Sequence, residues 1–114
     1  METLLPEDPQ LLAEFAVVLA VANGGNLNGK PTELLKAALE IDPNHRRSLA
    51  LAGTAALNKK DYAAAIGYWE RLQKTFPPGS EDAGKVAARI AEARATATAM
   101  AFTAIDPVQG RVVH

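Results

Sequence analysis

The chain has 114 residues, a formal net charge of -1 and no cysteine, with 48% of its residues hydrophobic and 22% charged. That size and balance describe one globular domain with a modest core and exclude wholesale disorder. The only basic doublets are Arg46-Arg47 and Lys59-Lys60, so the chain lacks the cationic stripe that nucleic acid or an anionic membrane requires of a partner. Without cysteine there are no disulfides, thiol nucleophiles or thiolate metal sites, and the redox compartment stays open.

The most apolar stretch, residues 11–22, carries Glu14, is too short to span a bilayer and runs into Asn23-Gly24-Gly25-Asn26. It reads as a core helix from about Pro9 or Gln10 to Ala22, with Phe15, Val18, Leu19 and Ala22 facing inward. A loop continues to Gly29. A second helix is expected from about Pro31 to Ile41, with Pro31 suited to the first turn and Leu34, Leu35, Ala38, Leu39 and Ile41 as its apolar residues. The third runs from about His45 to Asn58 and places Leu49, Ala52, Gly53, Ala56 and Leu57 on one side. Lys59-Lys60-Asp61 makes a turn in which Asp61 caps the fourth helix, Tyr62 to about Thr75, whose inward residues are Ala65, Ile66, Trp69 and Leu72. Pro77-Pro78-Gly79 stops it. Ser80 then caps a long alanine-rich helix to about Ala101, with Glu81 and Asp82 at its positive start. Its inward stripe is Ala83, Val86, Ala87, Ile90, Ala93, Ala97 and Met100 or Ala101. From Thr103 to His114 the apolar residues scatter around Pro107 and Gly110, which reads as extended chain and as the first piece of a following domain.

Two boundaries, Ile41-Asp42-Pro43 and Thr75-Phe76-Pro77, stand 34 residues apart, which is the tetratricopeptide period. Between them Gly53 and Ala65 fall where paired helices cross and only small side chains let backbones approach. Tyr62 and Trp69 fill the gaps left by that approach. The match is good from Asp61 to Trp69 and looser in the preceding helix, where Leu49 takes the usual tryptophan position. The expected fold is all-α: a tetratricopeptide-repeat helical solenoid of two helix pairs, about 10–43 and 44–77, plus a long C-terminal capping helix over about 80–101. These form one domain over residues 1–102, followed by the tail 103–114.

Residues that carry chemistry are scarce. His45 lies beside Arg46-Arg47, which repel a metal ion, and His114 ends the chain, so both read as solvated. No zinc, nucleophile-elbow or phosphate-loop pattern occurs, and Asn23-Gly24-Gly25-Asn26 follows a helix where a phosphate cradle follows a strand. The acids Glu81 with Asp82, and Glu70 with Glu92, are accounted for by caps and helix faces. Trp69 reads as core and Tyr68 as surface. The expectation is a protein that is not an enzyme and uses no cofactor, metal or small-molecule substrate.

A binding surface follows from geometry, because the first helix of each stacked pair lines the concave side. The groove-facing positions are Ala13, Ala16, Ala20 and Asn23 in the first repeat, and Arg47, Ala50, Thr54, Leu57 and Asn58 in the second. In the last helix they are Glu81, Gly84 and Ala88. Such a small-sided, largely apolar trough suits the apolar face of an amphipathic helix. The plainer alternative is that these alanines only let helices pack closely.

The order of segments carries a family resemblance. They are N-G-G-N-L-N-G-K-P-T-E-L-L at 23–35, A-L-E-I-D-P-N-H at 38–45 and L-A-L-A-G-T-A-A-L at 49–57, then D-Y-A-A-A-I-G-Y-W-E-R-L at 61–72, P-P-G-S-E-D-A at 77–83 and I-A-E-A-R-A at 90–95. Together they resemble the tetratricopeptide domain of the CcmI/CycH-type cytochrome c biogenesis proteins. The resemblance implies a bacterial periplasmic chaperone domain that holds the C-terminal helix of apocytochrome c and delivers it to the membrane haem-ligation machinery. It also implies that the full-length protein is tethered to the inner membrane and contacts haem-lyase components, with V-Q-G-R-V at 108–112 opening the next domain. The alternative is a scaffold of the same fold that joins subunits of an envelope complex.

Overall fold

Helix starts in this chain are set by residues that satisfy otherwise unpaired amide donors. In the computed structural model, which describes residues 7–103, α1 spans Pro9–Ala22 and Asp8 caps it by accepting from the Gln10 amide at 2.8 Å. The second helix, α2 (Lys30–Ile41), follows Gly29, whose φ of 82° is open to glycine without strain. Its first turn holds Pro31, which is fully buried. Then come α3 (Arg46–Asn58), α4 (Tyr62–Gln73) and α5 (Glu81–Thr103). Asp61 accepts from the Ala64 amide at 3.2 Å and Ser80 from the Ala83 amide at 3.2 Å, so both expected caps are made. Among the described residues there is no strand, and the all-α reading holds. Apart from Thr103, which closes α5, the tail from 104 to 114 lies outside the described residues.

His45 has a definite job instead of the solvated one expected of it. Its Nδ1 accepts from the Ser48 hydroxyl at 2.7 Å and from the Ser48 amide at 3.3 Å, which caps α3. That leaves Nε2 to donate to Gln10 Oε1 at 3.2 Å, tying the start of α1 to the start of α3. The bond also satisfies the hydroxyl of Ser48, which is fully buried.

The helices pair as α1 with α2 and α3 with α4; α5 packs on α4, and α3 joins the pairs by touching both α1 and α2. Two clusters of buried side chains result. One gathers Leu39, Leu49, Ala52, Ala56, Ala65, Trp69, Leu72, Val86, Ile90 and Ala93, and the other gathers Leu12, Ala13, Ala16, Ala20, Leu27, Leu34, Leu35, Ala38 and Ala55. The second includes Leu27, which sits in the segment read only as loop. Side-chain links across helices finish the frame: Arg71 donates to the Pro43 carbonyl at 2.6 Å, and Arg94 meets Glu70 at 2.7 Å.

The first helix is turned differently from its expected setting. Phe15 is 42% and Val18 62% exposed and Ala22 is exposed, while Leu12, Ala13, Ala16 and Ala20 are buried. Glu14 is the one charge in this 14-residue helix, so periodicity does not choose a face. Packing chooses it: the alanines let α1 lie close against α2 and α3, and the bulky side chains remain outside. In the other helices, Ile41 (48% exposed) and Met100 (48% exposed) also stand outside the core. Val18→Gln is therefore expected to change the unfolding free energy by no more than about 0.5 kcal/mol in a urea melt. A loss of about 1.5 kcal/mol or more would mean that Val18 is a core residue.

Candidate functional site

The second helix pair is built around one close approach. A Cβ placed on Gly53 would lie 2.1 Å from Trp69 Nε1, so the indole of α4 rests directly on the backbone of α3. Glycine is required here by space, not by backbone conformation. Trp69 is 2% exposed, and with Leu72 and Val86 it floors a depression of about 180 Å³ between α3 and α5. Ala50, Leu51 and Thr54 form the α3 wall, and Lys85 and Arg89 form the α5 wall. The trough continues toward the starts of both helices past Arg46, Arg47, Phe76 and Asp82. Thr54 donates its hydroxyl to the Ala50 carbonyl at 3.1 Å, so this hydroxyl is already paired within α3.

Charge is concentrated on the rim. Lys85 pairs with Glu81 at 3.4 Å, with both side chains largely exposed. The Arg89 guanidinium stands 6.0 Å from the centre of the Trp69 ring, a long cation–π contact that leaves its donors open. Arg46 is occupied: it stacks over Phe76 at 4.2 Å, and it donates through Nε to Thr75 Oγ1 at 3.0 Å and through Nη2 to the Thr75 carbonyl.

The structure divides the expected groove residues. Arg47, Ala50 and Thr54 line the trough. Leu57 and Asn58 follow on the same helix, half-buried and exposed respectively, but outside the lining. Asn23 is exposed and ends α1. Ala13, Ala16 and Ala20 are 0%, 0% and 4% exposed, so they are interior packing residues and not groove surface. Here the plainer reading of the alanines is the right one. In α5, Gly84 and Ala88 are exposed but stand outside the trough, where Lys85, Val86 and Arg89 take their place, and Glu81 is engaged with Lys85. By repeat spacing Gly84 and Ala88 match Ala50 and Thr54. Those α3 positions face α5 across the trough, whereas among the described residues no helix follows α5. The α3–α5 trough accordingly uses the opposite flank of α5. The repeat frame carried no sign of this, though Lys85 and Arg89 at i, i+4 on the flank of Val86 did offer one.

The arrangement offers shape, apolar surface and charge. Among the described residues no three His, Cys, Asp or Glu side chains are grouped to hold a metal, and no helix is long and apolar enough to cross a membrane. Fold and site together define an all-helical module of packed helix pairs with a basic-rimmed apolar depression between α3 and α5. No family model and no solved structure matches the chain. Over 69 residues, however, it is 36% identical to the cytochrome c-type biogenesis protein CycH of Pseudomonas aeruginosa, a stretch that covers 60% of this chain and 17% of that protein. The resemblance to the CcmI/CycH-type proteins thus holds against a named member, of which the matched stretch spans a small part.

Proposed function

We propose that this segment is a non-catalytic peptide-binding module of cytochrome c maturation. It holds the C-terminal helix of apocytochrome c for delivery to the haem-ligation machinery. The observation that carries the reading is the α3–α5 trough: an apolar floor of Trp69, Leu72 and Val86 between two helix walls, an arrangement that suits the apolar face of a helix. The likeness to CycH supplies the pathway, since that protein is a cytochrome c-type biogenesis protein. On this reading the segment works as a chaperone in the bacterial periplasm, in a full-length protein tethered to the inner membrane beside haem-lyase components.

Ala50 lines both parts of the trough, so Ala50→Glu sets a carboxylate where the ligand's apolar stripe would lie. Affinity for the C-terminal helix of a c-type apocytochrome is expected to fall at least about tenfold, because the new charge must be desolvated or must keep the helix out. Helicity by circular dichroism should be unchanged. Binding at wild-type strength to a correctly folded variant would remove the groove from consideration.

One observation favours a second reading, a scaffold that joins subunits of an envelope complex. Leu11, Phe15, Val18 and Val21 on α1 are 49%, 42%, 62% and 70% exposed, and the first three share one side of the helix at i, i+4 and i+7. A scaffold would engage this face and leave the trough empty.

A further inference from the structure

We infer that the α3–α5 groove selects an amphipathic helix whose apolar stripe is flanked on both sides by aspartate or glutamate, an inference that rests on the groove reading above. The chain as a whole carries a net charge of -1, yet the rim of this trough has four cations, Arg46, Arg47, Lys85 and Arg89, against two acids, Glu81 and Asp82. The excess is also uncommitted. Arg46 is spent on Phe76 and Thr75, and Lys85 is shared with Glu81. Among the described residues neither Arg47 nor Arg89 meets a carboxylate.

These two arginines stand on opposite walls, Arg47 on α3 beside the stretch near the helix starts and Arg89 on α5 beside the stretch floored by Trp69. A helix lying stripe-down in the trough presents one flank to each wall. Acids on those flanks meet guanidinium forks that can bind a carboxylate through two donors. Lysines there would bring like charge against like charge beside a surface that excludes water, which penalises the wrong partner more than it rewards the right one. The floor supplies affinity common to any apolar stripe, and the rim supplies the choice.

Trp69 is the only tryptophan of the chain and part of the floor, so its fluorescence reports occupancy directly. The probes are three tryptophan-free synthetic helices with one leucine stripe and flanks of glutamate, lysine or glutamine, titrated at low and high salt. The glutamate helix is expected to bind about three- to tenfold tighter than the glutamine one at low salt, an advantage that shrinks as salt rises. The lysine helix should bind weakest. The double variant Arg47→Glu with Arg89→Glu, checked for helicity, should invert the order. Equal, salt-insensitive binding of all three helices would overturn the acidic selection and leave the groove reading standing, and so would a preference for lysine flanks. If none of the three binds, and the apocytochrome helix does not either, both readings fall together.

Discussion

Trp69→Ala is expected to lower the unfolding free energy by about 3–5 kcal/mol, the range for truncating a buried aromatic that its neighbours cannot replace. The indole is 2% exposed and belongs to the cluster that joins α3, α4 and α5. Its removal leaves the backbone of α3 at Gly53 without a neighbour, and helices held by their own packing close such a gap only in part. A urea melt followed by circular dichroism measures the loss, and a change within about 0.5 kcal/mol would mean that the second helix pair is not organised around this residue.

Gly53→Ala is the complementary test, and its sign is the informative part. On an exposed helix, glycine to alanine stabilises by up to about 1 kcal/mol. Here the added methyl would lie 2.1 Å from Trp69 Nε1, so the indole or the helix must move. The expected outcome is a net loss of about 1–3 kcal/mol, as for other overpacked cores. In a Trp69→Ala background the clash is gone, and the same substitution should become neutral or stabilising. That change of sign is a coupling between two residues in contact, measured by a double-mutant cycle. If Gly53→Ala is equally harmful in both backgrounds, the close approach of α3 and α4 is not what requires glycine at this position.

Much of this pair is legible in the residues themselves. Asp61 and Ser80 announce helix starts because a short acceptor before an apolar run has few other uses, and both make the expected bonds. Gly53 is expected where the paired helices cross and Trp69 as a filler of the gap so left, and the indole lies against Gly53 itself. The first helix was not legible in the same way. It is apolar nearly all round, so nothing in its pattern says whether bulk or smallness faces the core, and the choice fell to the distance at which α2 and α3 accept it. The same ambiguity misplaced Ala16 and Ala20 in the groove. Repeat spacing puts Arg47, Ala50 and Thr54 on the depression because α3 faces α5 across it, whereas Gly84 and Ala88 lie outside it and no described helix follows α5. His45 was misjudged for another reason: its partner Gln10 lies 35 residues away, beyond the reach of any local pattern.

On the proposed function, a helix from an apocytochrome occupies the trough between α3 and α5. Its most direct test is calorimetric titration of the chain with a synthetic C-terminal helix of a c-type apocytochrome, beside a scrambled peptide of identical composition. Saturable binding of the native helix alone, weakened by Ala50→Glu, is the predicted result. Equal binding of both peptides, or of neither, would contradict it and turn attention to the exposed face of α1 as the surface this module uses.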